Sequence, residues 1–278
     1  MKVAICQLNI VWESKEQNLC NVEKYLIQAQ EENADVVFFP EMSFTGFSMN
    51  TAHTAESNNY TCNQIKKLAV KYKLSIGFGW VKQTLSDKAE NHYTLIDNNG
   101  EILMDYVKIH PFSFSNENKF FDAGNDLFYC NVADFKIGTL ICYDLRFPEI
   151  FQILSDKVDC IVVAANWPEV RREHWQCLLK ARAIENQVYI IGVNCVGNIN
   201  NINYSGDSCI IVPDGNVLKS ISYTERLIIH ELDNDVEDFR KKFPTKADRK
   251  QVFGYFFVKK PRFRTTKPTF FCLKLTKR

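Results

Sequence analysis

Three ionisable side chains stand at the ends of short apolar runs, and together their types describe a hydrolase. GTLI leads into Cys142, ADVVFFP into Glu41, and GEILMDYV into Lys108. A strand end holds a sulfur in place, and the turn that follows, Asp144 to Pro148, can aim backbone N–H groups at a developing oxyanion. A carboxylate supplies the base that converts thiol to thiolate, and an ammonium stabilises the charge on an attacked carbonyl oxygen. Singly, each residue has a plainer reading. Free cysteine is usually a small buried hydrophobe, while Glu41 alone would pass as a solvated turn residue and Lys108 as a strand-end lysine.

Strand and helix patterns alternate along the chain that must position these groups. VAICQL has strand character, and residues 15–32 then set Leu19, Val22, Leu26 and Ala29 on one helical face, with Ser14 at the N-cap position. DVVFFP forms the next strand, Ile65, Leu68, Ala69 and Tyr72 repeat the helical spacing, and LSIGFGW returns to strand. YTLIDNNGEILMDYVK follows as two strands about a tight turn at Asn98, Asn99 and Gly100. A second set repeats the order: FKIGTLI, a helix from about Pro148, DCIVVAA, a helix from about Glu173 to Gln187, VYIIGVN, and SCIIVPDGNVLKSI turning at Pro213 to Gly215. In the long helix Trp175, Leu178, Leu179 and Ala183 share a face. Two βαβα-plus-hairpin units predict two similar halves, each a sheet covered by helices on its outer face.

The 278 residues are 46% apolar and 13% aromatic, ample for a substantial core. No Pro/Ser/Gly-rich spacer divides the chain, so one domain is expected over residues 1–250. The N-terminal MKVAICQLNI has strand character, unlike a signal peptide, and no apolar run reaches membrane-spanning length. The ten cysteines include no CxxC pair. Their scatter through apolar runs suggests reduced core residues in a cytoplasmic protein, and no metal or cofactor is expected. Residues 251–278 form a basic, aromatic-rich tail. With no nucleic-acid motif beside it, packing against a neighbouring subunit or no role is favoured over contact with nucleic acid.

PEMSFTGF around Glu41, YVKIHPF around Lys108 and LICYDLRFPE around Cys142 resemble, in order and spacing, the three signature blocks of the nitrilase superfamily of carbon–nitrogen hydrolases. The resemblance covers roughly residues 1 to 250 and implies a four-layer α-β-β-α sandwich, a homodimer or larger homo-oligomer. It further implies that Glu41 is the general base, that Lys108 stabilises the tetrahedral intermediate, and that Cys142 forms a thioester. Glu117, in SNENKFF, takes the place of a second glutamate that orients Lys108, and the backbone N–H of Tyr143 completes the oxyanion site. ANWPEVRREHWQCLLKARAIENQVYIIGVNCVG and YSGDS resemble the omega-amidase branch. That branch implies an amide substrate, a 2-oxo dicarboxylic acid monoamide such as 2-oxoglutaramate or 2-oxosuccinamate. Deaminated-glutathione amidase, N-carbamoyl amide hydrolase and aliphatic amidase activities are the alternatives, with a non-catalytic binding protein on the same scaffold behind them.

A 2-oxo acid needs a cationic or polar contact for its carboxylate. Arg146 and the pair Arg171 and Arg172 are the candidate donors, although Arg146 is expected instead to pair with Asp144 or Glu149 and shape the turn. Phe112 and Trp167 are candidate pocket walls, and His174 and Trp175 are expected to open the long helix rather than touch substrate.

Overall fold

The computed structural model describes residues 1–249 and the backbone of a strand at Val258–Lys259; the rest of the basic tail lies outside the described residues. The first half of the chain runs β1 (Lys2–Gln7), α1 (Lys15–Glu31), β2 (Val36–Phe38), α2 (Thr51–Thr54), α3 (Tyr60–Tyr72), β3 (Ser75–Gln83), β4 (Ala89–Ile96) and β5 (Ile102–Val107). After the short α4 (Glu117–Phe120) and β6 (Phe121–Asp122) come β7 (Leu127–Val132), β8 (Phe135–Ile141), α5 (Pro148–Ser155), β9 (Cys160–Ala165), α6 (Arg172–Asn186) and β10 (Tyr189–Asn194). β11 (Val196–Ile199), β12 (Ile202–Ile211), β13 (Val217–Ser222), β14 (Arg226–Glu231) and α7 (Val236–Lys242) follow.

The two halves build two sheets by one recipe. In the first, β1, β2 and β3 are parallel neighbours and the β4–β5 hairpin extends the sheet antiparallel. In the second, β8, β9 and β10 are parallel, with β12 and β13 continuing antiparallel. The hairpin turns are alike too. Gly100 and Gly215 supply left-handed φ values of 83° and 89°. Beside them, Asp97 accepts from the N–H groups of Asn99 and Glu101, and Asp214 from that of Asn216. The equivalence extends to two strands the sequence patterns did not separate: β14 pairs antiparallel with β1, and β7 antiparallel with β8.

Three hydrophobic clusters define the layers. Val22, Leu26 and Ala29 of α1 and Ile65 and Ala69 of α3 pack on Ala4, Cys6, Val37 and Ile76. Phe151 and Leu154 of α5 and Trp175, Leu179 and Ala183 of α6 pack on Leu140, Ile161, Val163 and Ile190. Between the sheets, Val3, Ile5, Val36, Phe38, Leu95 and Met104 meet Ile137, Val162, Ile191, Val193 and Ile210. Alternate residues of β1, Ala4 and Cys6 against Val3 and Ile5, thus serve different layers. Burial on both faces produces near-continuous apolar runs, and the result is an α-β-β-α sandwich.

Helix α1 begins after Ser14 as expected, but the Ser14 side chain makes no capping hydrogen bond. Asn18, inside the first turn, instead bonds both the N–H and the carbonyl of Val11 and the carbonyl of Phe44, tying the helix start to the loop after Glu41. Among the described residues, no helix is long and apolar enough to cross a membrane.

Candidate active site

Five strand ends converge on one place. β2, β5, β8, β9 and β10 lead into Glu41, Lys108, Cys142, Asn166 and Asn194 respectively. Such convergence is what brings polar groups from distant stretches of chain to the carboxyl edge of parallel strands. The Glu41 turn lies directly on β3. A Cβ at Gly79 would come within 2.3 Å of the Met42 nitrogen and 2.8 Å of Glu41 Cα, so only glycine admits this approach. Ser43 seals the contact, its N–H donating to the Gly79 carbonyl at 3.0 Å and its hydroxyl accepting from Gly79 N–H at 3.1 Å.

Cys142 ends β8 and opens a 3-10 turn, Cys142–Arg146, with φ of +46°. A non-glycine residue held in this region is strained, and the surroundings must over-determine it. Asp144, fully buried, does so. Its carboxylate accepts from Ile141 N–H at 3.0 Å, from the Tyr106 hydroxyl at 2.7 Å, and from the N–H and Nδ1 of His110 at 3.0 and 2.8 Å. The His110 ring stacks on Phe147 at 3.7 Å. One carboxylate therefore joins the cysteine turn to the segment on either side of Lys108.

Lys108, 1% exposed, lies between two carboxylates that are 0% exposed. Its Nζ is 2.8 Å from Glu41 Oε1 and 3.0 and 2.9 Å from the two oxygens of Glu117. Asn91 donates to both, at 2.9 Å to Glu41 and 3.2 Å to Glu117, while Asn166 N–H holds the other oxygen of Glu41 at 2.9 Å and Phe112 N–H shares Glu117 Oε2 with Lys108 at 2.5 Å. Burial disfavours the ammonium, but Glu117 and Glu41 more than compensate, and Lys108 stays protonated well above its ordinary range. Burial raises Glu117; Lys108 opposes this and Glu41 adds to it. Burial, followed by the negative charge of Glu41, pushes the Cys142 thiol far up, with Lys108 pulling the other way; the Cys142 Sγ itself lies 3.9 Å from the Asn166 carbonyl. At rest the site therefore holds a neutral thiol, a cation and carboxylate character beside it.

The thiol faces a cavity of about 320 Å³ lined by Cys142, Tyr143, Phe112, Trp167, Arg146 and Arg171, with Phe47 and Tyr204 among the other walls. Glu41, Lys108 and Glu117 are buried beside Cys142 rather than on this lining. The expected pairing of Arg146 with Asp144 or Glu149 does not occur. Asp144 is saturated by the inward contacts just described, and the Arg146 guanidinium lies 4.9 Å from the Trp167 ring, with Nη2 3.2 Å from His174 Nδ1. Arg172, by contrast, is no cavity residue: its Nε and Nη2 each donate to Asp207 at 2.7 Å. Trp175 is buried, and its indole N–H donates to the Asp207 carbonyl at 2.9 Å.

Asn91, Asp144, Asn166 and Asn194 are structural members of this site that the residue patterns did not single out. Asn166 and Asn194 carried the same signal as the others, a polar residue closing an apolar strand. Among the described residues, no three His, Cys, Asp or Glu side chains are grouped to hold a metal ion.

Residues 2–241 match the carbon–nitrogen hydrolase family. The chain is 30% identical over 256 residues to the 2-oxoglutaramate amidase of Bacillus subtilis, covering 90% of this chain and 98% of that protein. It is 33% identical over 251 residues to the omega-amidase YafV of Escherichia coli, covering 89% and 96%. A solved CN-hydrolase superfamily protein from Xanthomonas campestris, XC1258, whose active site carries an arsenic adduct, superposes with a TM-score of 0.86 at 27% identity over 91% of this chain and 99% of that one. With matches spanning nearly the whole of the described chain, the protein belongs to the carbon–nitrogen hydrolase family and is a hydrolytic amidase of the nitrilase superfamily.

Proposed function

We propose that the protein is an omega-amidase that hydrolyses the terminal amide of 2-oxo dicarboxylic acid monoamides, 2-oxoglutaramate and 2-oxosuccinamate, through a thioester on Cys142. The observation that carries this reading is Cys142 on a cavity whose lining has two arginines and no acidic residue, with Lys108 held between Glu41 and Glu117 beside it. The names of the Bacillus and Escherichia relatives support the substrate class.

In this reading Glu41 takes the thiol proton as sulfur attacks the amide carbon, and the carbonyl π pair moves onto oxygen. Lys108 and the Tyr143 N–H stabilise that oxyanion. The oxyanion collapses, the C–N bond breaks, and the proton held by Glu41 passes to nitrogen, so that ammonia leaves and a thioester remains. Water then attacks the thioester carbon while Glu41 accepts one of its protons. Collapse of the second tetrahedral intermediate breaks the C–S bond, frees the carboxylic acid and returns the proton to sulfur. Glu117 keeps Lys108 aligned throughout. Because the resting thiol is neutral, the base is needed at the moment of attack.

The test is ammonia release from 2-oxoglutaramate, glutamine and an N-carbamoyl amino acid, with Cys142→Ala as the blank and urea unfolding to verify its fold. Release from the 2-oxo amide, absent in the variant, is expected. Preference for another substrate would replace the branch assignment, and undiminished release by a folded Cys142→Ala would remove the thioester.

A further inference from the structure

The segment between β9 and α6 is stapled along its length. Asn166 Nδ2 donates to the Glu41 carbonyl at 2.5 Å, and Trp167 exchanges hydrogen bonds with the Asn194 side chain at 2.7 and 3.0 Å. The Trp167 indole N–H holds the Arg171 carbonyl at 2.8 Å, and Arg171 N–H donates to Pro168 at 3.0 Å. The last staple is Arg172, forked onto Asp207. That carboxylate, 1% exposed, also accepts from Ser205 and Ser222 hydroxyls, each at 2.6 Å, and from Gln176 at 3.1 Å. Asp207 has φ of +57° and sits where the β12–β13 register shifts between Gly206 and Ser208. A bulge of this kind re-aims a side chain out of the regular ladder.

Two adjacent arginines are thereby sent to different fates. Arg172 is consumed. Arg171, held by its own backbone, keeps its guanidinium on the cavity, 5.5 Å from the Phe112 ring. Among the described residues it forms no ion pair; the arginine pairs are Arg172–Asp207, Arg182–Glu185 and Arg240–Glu237. A guanidinium on a largely apolar cavity whose lining has no acidic residue is matched by a planar anion that it can grip with two parallel N–H donors. With the backbone already fixed, little order is lost when that anion arrives.

Resting on the omega-amidase reading, we propose that Arg171 selects substrates carrying a carboxylate remote from the scissile amide, and that the Arg172–Asp207 pair is the positioning device that keeps Arg171 on the cavity. The experiment has a binding arm and a kinetic arm. The first measures 2-oxoglutarate binding by calorimetry to wild type, Arg171→Gln and Arg171→Lys. Loss of a charge-assisted pair predicts a Kd raised roughly 10- to 100-fold in the glutamine variant and less in the lysine variant. Equal Kd values in wild type and Arg171→Gln would overturn the proposal. The second arm compares kcat/KM for 2-oxoglutaramate with that for pentanamide, an uncharged amide of the same carbon chain length. The ratio is expected to fall in Arg171→Gln, mostly through KM for the anionic substrate, and to fall partway in Asp207→Asn. Losses shared equally by both substrates would mark a structural role and sink the idea. Should wild type turn over neither amide, the omega-amidase reading fails, while the binding arm still decides whether Arg171 holds a carboxylate.

Discussion

Asp144→Asn is the substitution that most directly probes how the cysteine turn is built. The native carboxylate serves paired donors: Oδ2 takes Tyr106 hydroxyl and Ile141 N–H, and Oδ1 takes the N–H and ring Nδ1 of His110. An asparagine replaces one of these oxygens by an NH₂ group. Placed toward Ile141, the amide nitrogen faces a backbone donor and deprives Tyr106 of its acceptor. Placed toward His110, it can be met by the ring in its other tautomer, yet the His110 N–H is still orphaned. Either way one buried backbone N–H loses its partner, which costs about 1–3 kcal/mol, and the bonds that survive are no longer charge-assisted. A total loss of about 2–4 kcal/mol follows. The same anchor holds Cys142 at φ +46°, a conformation that itself costs about 1–3 kcal/mol and relaxes when its restraint weakens. A displaced sulfur is expected to reduce kcat on the order of 100-fold although Asp144 touches no substrate. Urea unfolding followed by circular dichroism reads the first effect, and ammonia release under saturating amide reads the second. A variant within about 0.5 kcal/mol of wild type in stability, with kcat within threefold, would refute the assignment of Asp144 as the anchor.

Lys108→Met removes the cation between two buried carboxylates, and amide turnover is expected to fall by more than about 1000-fold. Its stability should acquire a distinctive pH slope. Glu117 is already raised by burial, and loss of Lys108 raises it further, so the folded variant favours the protonated acid and weakens as pH climbs from about 4.5. A urea midpoint that does not fall, relative to wild type, between about pH 5 and pH 8 would contradict this. A second slope comes from His92, buried on β4 between Asp105 at 2.9 Å and Glu90 at 3.0 Å. Burial lowers its pKa, but those two carboxylates prevail and lift it above 6.5. Its stabilising charge is thus fully present below about pH 6.5 and is lost as pH rises through the folded-state value. The stability gap between wild type and His92→Gln should be wider at about pH 6 than at about pH 9; an unchanged gap would show that the imidazolium is not formed.

Much of the architecture was legible because both faces of the central strands are buried. VVFF and CIVVAA are continuous apolar runs and FKIGTLI is nearly all buried, and their alternation with helical spacing leaves few alternatives to two helix-covered sheets. β7 and β14 were not separated because LFYCNV and RLIIHE mix polar and apolar residues, and pairing with strands distant or turned back in sequence, β8 and Val258–Lys259 for β7 and β1 for β14, reveals what they are. Ser14 illustrates the opposite limit. Its type suited the cap position, but its side chain makes no capping bond; the helix start is instead tied down by Asn18, whose amide bonds Val11 and Phe44 at once, a tertiary arrangement that local spacing does not encode.

For the site, chain position pointed to residues the fold brings together where a strand end selected them, and failed where side chains compete for the same partner. Glu41, Lys108 and Cys142 could be grouped because each closes an apolar run. Arg146 could not be assigned this way. Its neighbours in sequence, Asp144 and Glu149, made an ion pair the economical expectation, yet Asp144 was already claimed by a tyrosine, a histidine and a backbone N–H from strands distant in sequence or turned inward. The same competition, with the opposite outcome, separates Arg171 from Arg172. Adjacent residues of one type are indistinguishable in a sequence, and what distinguishes them here is a single carboxylate, Asp207, placed by a bulge 35 residues away along the chain from Arg172. The candidate triad can be proposed from which residues end strands, whereas the groups free to meet a substrate follow from which cations the buried acids leave unpaired. That second quantity belongs to the folded hydrogen-bond network as a whole.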